Sequence, residues 1–156
     1  LLIRRAQALM EAAGDDGDFD ALCQQLHRYQ ATLRTCFTLE NFDNLIKNGR
    51  MRPIVGTLLR SLGIHIIADA TAEGTIHVAD KARGVGKTYR AITALMKASK
   101  DCTDAEVVIS HCENLEGALA LKRQILADLP VKQVDLLSCR GLTSFYAMEK
   151  GLIVGY

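Results

Sequence analysis

The chain has 156 residues, of which 49% are hydrophobic, 24% charged and 5% aromatic, and its formal net charge is +1 at pH 7. This balance is typical of a globular domain with an apolar core. It argues against nucleic-acid binding, because basic charge is not in excess and few rings are available to stack on bases. No apolar run approaches the roughly 20 residues that cross a bilayer, so the sequence predicts no membrane span.

The five cysteines are odd in number and form no Cys-x-x-Cys pair. Such spacing is typical of free thiols in a reducing compartment, so we expect a cytoplasmic protein without a disulfide framework. His111 and Cys112 are adjacent, but a zinc site needs paired ligands at short spacing, which they do not supply. We therefore predict neither a metal nor a cofactor.

The first residues are predicted to be helical. An apolar face runs from Leu2 to Ala13 and ends at Gly14, and Asp18 is a suitable N-cap for a second helix. The chain opens without Met and in the middle of this pattern, so we expect a fragment of a longer protein. In that interpretation residues 1–34 lead in from a missing domain, and residues 35–156 form an α/β core.

The rest of the chain alternates between strand and helix patterns. Residues 65–70 and 75–82 flank a turn and predict a β-hairpin. The other predicted strands are 35–39, 106–110, 133–138 and 151–156, and the other predicted helices are 41–48, 54–62, 86–99 and 114–129. We expect a single mixed α/β domain of three layers, with helices flanking a mixed sheet that contains the hairpin. The last strands are expected to follow a βαβ layout.

Several segments have motif-like sequences in a fixed order. They are LENFDNLIKNGRM (39–51), GTLLRSL (56–62), IHIIA (64–68), EGTI (73–76), KARGVGKT (81–88) and ISHCENLE (109–116). In the same order they resemble the TLEYLKKGGRI, GSLL, KIKPIL, DGKI, KVRGRKKA and IxHADNPE motifs of the DegV family. Residues 151–156 resemble the closing strand of that family, so the chain is similar to the carboxy-terminal domain of a DegV protein.

The resemblance implies a carrier of long-chain fatty acids that catalyses no reaction itself. In this family the acyl chain lies in a tunnel between two domains, and the amino-terminal domain supplies hydroxyl groups that bind the carboxylate. Certain members present the bound fatty acid to a separate ATP-dependent fatty acid kinase, which phosphorylates the carboxylate. The expected partners are therefore a fatty acid, the missing amino-terminal DegV domain and a fatty acid kinase.

Two residues are candidates for the head-group site. Arg50 follows the helix stop at Gly49 and matches the arginine of the family signature, where a guanidinium could bind a carboxylate or fix the loop by bonding to carbonyl groups. His111 ends a predicted buried strand, which is a common position for ligand contacts in an open α/β sheet. It could equally be a hydrogen-bonded core residue.

The segment 140–150 departs from the family pattern. DegV proteins usually carry a glycine-rich GxHTGPG loop here, whose histidine reaches the head group. This chain has Tyr146 in the histidine position and lacks the Gly-Pro-Gly. Thr143, Ser144 and Tyr146 could still donate hydrogen bonds to a carboxylate, although none of them is charged. A helical turn is an alternative to the loop.

A basic group surrounds the start of the helix that follows the hairpin. Arg83, with Lys81, Lys87 and Arg90, matches the place where the family is expected to meet a kinase or a phosphate, although a solvated helix face is an alternative. The side chains expected either to line the acyl tunnel or to belong to the core are Ile54, Leu58, Leu59, Leu62 and Ile66. The rival hypothesis for the whole chain is a protein-interaction domain without a lipid cavity. A general-base role for His111 lacks a nucleophile or carboxylate that the sequence places nearby.

Overall fold

The computed structural model describes residues 1–14, 17–51, 63–71 and 74–156. These residues group into two units, Leu1–Leu33 and Arg34–Tyr156. No helix among them is both long and apolar enough to cross a membrane. The predicted helix over residues 54–62 lies outside the described residues.

The first unit is a pair of helices, α1 (Leu2–Ala13) and α2 (Phe19–Thr32). Gly14 ends α1 with a φ of 65°, and its N–H donates to the carbonyl of Met10. The Asp18 carboxylate begins α2 by accepting hydrogen bonds from the N–H groups of Asp20 and Ala21 at 3.0 and 3.3 Å. Both predicted caps are therefore confirmed. An apolar groove between the helices is lined by Ala6, Leu9, Met10, Phe19, Leu22, Cys23 and Leu26.

The second unit contains the remaining elements. In chain order they are β1 (Thr35–Leu39), α3 (Asp43–Lys47), β2 (Ile64–Ala70), β3 (Ile76–Arg83), α4 (Val85–Ser99), β4 (Glu106–His111), α5 (Leu115–Asp128), β5 (Gln133–Ser138), α6 (Leu142–Ala147) and β6 (Leu152–Gly155). The strands form a mixed sheet in the order β3-β2-β1-β6-β4-β5. The predicted hairpin is confirmed as the antiparallel pair β2–β3, and the sheet with flanking helices agrees with the predicted fold class.

Each face of the sheet buries a separate apolar cluster, because successive side chains along a strand point to opposite faces. The large core lies under α4 and α5, and it includes Cys36, Ile67, Ile92, Met96, Val107, Ile109, Leu121, Ile125, Val134, Leu152 and Val154. The small core lies on the other face with α3 and α6, and it includes Leu39, Phe42, Leu45, Met51, Ile66, Ala68 and Ala147. The sheet therefore lies between two helical layers, and in the described part of the chain the helices on the small-core side, α3 and α6, are much shorter than α4 and α5.

The predicted βαβ layout is correct for one crossover and wrong for the next. Strands β4 and β5 are parallel and are joined by α5, as expected. Strand β6 instead lies between β1 and β4 and runs antiparallel to both. The physical reason is that the local alternation of strand and helix does not fix strand direction, and β6 pairs with β1 and β4, which are distant from it along the chain.

Gly151 joins α6 to β6, and a side chain at this position would disturb both elements. An added Cβ would overlap the backbone carbonyl oxygen of Ala147. We expect Gly151→Ala to lower the free energy of unfolding by about 1–3 kcal/mol, measured by urea denaturation. Gly86→Ala is the matched control, since a Cβ there meets nothing within 4 Å and alanine favours the helix. Equal stability of the two variants would contradict this packing.

Candidate functional site

The helices α3 and α6 lie side by side on the small core. The side-chain amide of Asn44 in α3 donates to the carbonyl oxygen of Phe145 in α6 at 2.6 Å. Leu45 and Ala147 anchor the two helices in the same apolar cluster. The segment that carries Arg50 is therefore adjacent to the helix that carries Thr143, Ser144 and Tyr146.

Arg50 stands in a tight turn directly after α3. Gly49 adopts a φ of 67°, which glycine tolerates without strain. The N–H groups of Arg50 and Met51 then donate to the carbonyl of Leu45 at 2.8 and 3.2 Å. Backbone hydrogen bonds hold this turn, so its geometry does not require the guanidinium, and the Arg50 side chain is exposed.

Three of the predicted donors lie on α6. Thr143 is exposed, whereas Ser144 and Tyr146 are half-buried. Tyr146 packs against the small core, and its ring meets that of Phe145 edge-on, with centroids 5.1 Å apart. The segment 142–147 is thus a short helix, the alternative that the sequence left open to a glycine-rich loop.

His111 lies apart from the other four candidates. It alternates along β4 with Val107 and Ile109, which belong to the large core, so its side chain is on the α4–α5 face of the sheet. The ring is nearly buried, and Nδ1 lies 3.4 Å from the N–H of Asn114, which donates to it. The neighbouring Cys112, by contrast, packs against the small core.

Three large apolar side chains are exposed on the α6 side of the sheet: Leu142 and Phe145 lie on α6 itself, and Leu137 lies on β5, where its neighbour Leu136 faces the large core. Leu137, Leu142 and Phe145 retain 49%, 71% and 46% of their side-chain exposure, although all three are large and apolar. We call these three residues the α6 patch. Large exposed apolar side chains on one side of a sheet make that side a candidate for binding a ligand or a partner. The sequence analysis did not single out these residues, because a six-residue helix is too short to show an amphipathic repeat.

A separate cleft of about 260 Å³, with both apolar and polar lining residues, lies where α4 and α5 begin. Its walls include Thr38, whose hydroxyl is buried and has no hydrogen-bond partner among the described residues. Glu40 and Lys150 approach to 3.6 Å at its rim. Burial raises the pKa of Tyr89 in this cleft, and the carboxylates of Glu116 and Glu40 raise it further. The cleft therefore combines apolar wall residues with ionisable groups and lies on the α4–α5 face of the sheet, away from α6.

The predicted basic group is exposed at the junction of β3 and α4. Arg83 is the last residue of β3, and Gly84, with a φ of 83°, turns the chain into α4. Lys81, Lys87 and Arg90 are exposed as well. Of the five predicted tunnel residues, Ile66 is completely buried in the small core, and the other four lie outside the described residues.

Comparison with known proteins identifies the family. The family model described as "Uncharacterised protein, DegV family" matches residues 2–152. The chain belongs to the DegV family. A DegV domain-containing protein of Streptococcus gordonii is 31% identical over 151 residues, which are 96% of this chain and 53% of that protein. A DegV domain-containing protein of Streptococcus pneumoniae is 32% identical over 88% of this chain and 49% of its own length.

Solved DegV structures have the same fold. A DegV family protein from Eubacterium eligens, loaded with heptadecanoic acid, has a TM-score of 0.90 and 25% identity, covering 99% of this chain and 54% of its own. The Fatty Acid Kinase (Fak) B3 protein of Streptococcus pneumoniae, loaded with linoleic acid, has a TM-score of 0.88 and 30% identity, with coverages of 99% and 54%. The chain therefore spans about half the length of the DegV relatives it matches.

The hydrogen bond between Asn44 and Phe145 should hold the position of α6. We expect Asn44→Ala to reduce stability by about 0.5–1.5 kcal/mol and to speed amide hydrogen exchange at the C-terminal end of α6. The control is Asn48→Ala, because the Asn48 amide bonds only within the end of α3, to the carbonyl of Asn44. Faster exchange in both variants, or in neither, would show that this bond does not position α6.

Proposed function

We propose that this domain binds a long-chain fatty acid against its α6 side and itself catalyses no reaction. The observation that carries the proposal is the exposed α6 patch on the side of the sheet where α6 carries Thr143, Ser144 and Tyr146, and where α3, which precedes Arg50, is hydrogen-bonded to α6 through Asn44. An apolar surface beside a small group of hydrogen-bond donors matches the two ends of a fatty acid. Relatives with the same fold hold heptadecanoic and linoleic acid, which supports this ligand class.

The free energy of binding favours an apolar surface for the acyl chain and hydrogen-bond donors for the carboxylate. Burying an acyl chain gains about 0.8 kcal/mol per methylene group, so most of the affinity comes from apolar contact. A carboxylate removed from water must be paired with donors. In the proposed site Arg50 supplies the positive charge, and the hydroxyl groups of α6 supply neutral hydrogen bonds. His111 is left out of the site, because its side chain lies on the other face of the sheet.

The proposed site is shared with a second domain. The chain spans about half of its relatives, and the α6 patch keeps large apolar side chains exposed. We infer that an amino-terminal DegV domain packs near this patch and encloses the acyl chain between the two domains. Exposed apolar surface would then be buried on both sides of the ligand, and the present domain alone would bind fatty acids weakly.

The exposed basic group at Arg83 supports a further part of the proposal. A fatty acid kinase that uses ATP carries and transfers phosphate, and clustered cations attract such a partner. We infer that Arg83 contributes to docking a kinase that phosphorylates the bound carboxylate. The same exposed cations are the observation that favours the rival function, a protein-interaction domain that binds no lipid.

Fatty-acid affinity tests the head-group assignment directly. In the full-length protein, Arg50→Ala should weaken binding of a fluorescent long-chain fatty acid about tenfold, because a charge-assisted hydrogen bond is lost. Lys47→Ala is the control, since Lys47 is an exposed cation at the end of α3, three residues before Arg50. Mass spectrometry of lipid extracted from the unmodified protein provides the second readout. No co-purified fatty acid, together with equal affinities of the two variants, would favour the interaction domain.

Kinase docking is tested separately from lipid binding. With a fatty acid kinase of the same cell, Arg83→Ala should slow acyl-phosphate formation several-fold while leaving the fatty-acid Kd unchanged, because Arg83 lies outside the proposed lipid site. Arg123→Ala removes an exposed charge from α5 and should change neither quantity. Equal rates for all three proteins would remove Arg83 from the proposal.

A further inference from the structure

Two cysteines end neighbouring parallel strands in the same register. His111 of β4 pairs with Ser138 of β5, and the next residue on each strand is a cysteine, Cys112 and Cys139. The ladder continues past the strand ends, because the N–H of Cys139 donates to the carbonyl of His111 at 2.8 Å. Both side chains pack against the small core, so both thiols lie on the same face of the sheet.

This arrangement suits a disulfide. Neighbouring strands lie about 4.8 Å apart, within the range of about 4.4–6.8 Å between Cα atoms that disulfides span. Both cysteines lie past the last paired residues, so their backbones can adjust more easily than those inside the ladder. The pKa of Cys139 also reflects how close the two thiols are. Burial raises this pKa, and the neighbouring Cys112 raises it further.

The other cysteines are less suited to oxidation or lie elsewhere. Cys36 is completely buried, and burial, with a smaller contribution from Asp69, raises its pKa to about 12. Cys102 is also buried, and this raises its pKa. Cys23 is half-buried but belongs to the first unit. Cys112 and Cys139 thus combine partial exposure with a neighbouring thiol.

We propose that Cys112 and Cys139 form an oxidisable dithiol that hydrogen peroxide converts to a disulfide. The Cys112 thiolate attacks the peroxide, so that an S–O bond forms, the O–O bond breaks and hydroxide leaves as water after taking a proton. The Cys139 sulfur then attacks the sulfenic sulfur of Cys112, so that an S–S bond forms, the S–O bond breaks, and the hydroxide leaves as a second water with the proton of the Cys139 thiol. The two thiols lose two electrons and the peroxide gains two.

The disulfide would act on α6, an effect that rests on the proposed lipid site. The Cys112 thiol lies 4.0 Å from the carbonyl oxygen of Ser144, to which it is oriented as a donor, and oxidation removes that donor. Cys139 also lies two residues before Gly141, the N-cap of α6. Drawing the two sulfurs to bonding distance therefore changes the contact between Cys112 and Ser144 and shifts the segment that leads into the N-terminus of α6. This is the helix that carries the proposed donors.

The covalent step is tested without lipid. Hydrogen peroxide added to the full-length protein should lower the number of this chain's thiols that react after denaturation from five to three, and dithiothreitol should restore all five. Peptide mass spectrometry should find Cys112 joined to Cys139. Cys112→Ser and Cys139→Ser should each abolish that link, and Cys23→Ser should leave it intact. Overoxidation of separate cysteines without the link would overturn the proposal.

The coupling to α6 is tested by fatty-acid affinity in the reduced and oxidised protein. Oxidation should weaken binding about fivefold, on the scale of one lost hydrogen bond, and the Cys139→Ser variant should not respond. An unchanged Kd in protein that carries the link would overturn the coupling. Absence of binding in the reduced protein would instead overturn the proposed lipid site, while the mass-spectrometric result would still decide whether the dithiol forms.

Discussion

The organisation of this domain depends on how a single sheet buries two apolar faces. The long helices α4 and α5 cover one face and give it a large core. Among the described residues, only α3 and α6, of five and six residues, cover the other face. Short helices bury little area, so large apolar side chains beside them stay exposed and available to a ligand or a second domain. The proposed site follows from this difference between the helices described on the two faces.

Local signals in the sequence were sufficient for most elements. The hairpin, the helix caps at Gly14 and Asp18 and the long helices follow from alternation, capping residues and apolar spacing, and the structure confirms them. The direction of β6 could not be predicted from local patterns, because its partners β1 and β4 are distant along the chain. Strand order is a tertiary property that local patterns do not encode.

The candidate site also has features that the sequence predicted and features that only the structure shows. The motif resemblance selected Arg50 and segment 140–150, and the structure places these two segments together through the hydrogen bond between Asn44 and Phe145. The position of His111 could have been predicted, because Val107, Ile109 and His111 alternate on one face of a strand. The α6 patch and the pairing of Cys112 with Cys139 required the helix packing and the strand register that only the structure supplies.

The most direct test of the account is photo-crosslinking of the full-length protein with a long-chain fatty acid that carries a diazirine along its tail. The α6 side is the proposed wall for that tail, since Leu137, Leu142 and Phe145 expose apolar surface there. Peptide mapping should therefore find the label on residues 137–147, and an excess of unlabelled fatty acid should remove it. A competed label confined to α4 and α5, or no competed label in this domain, would contradict the account.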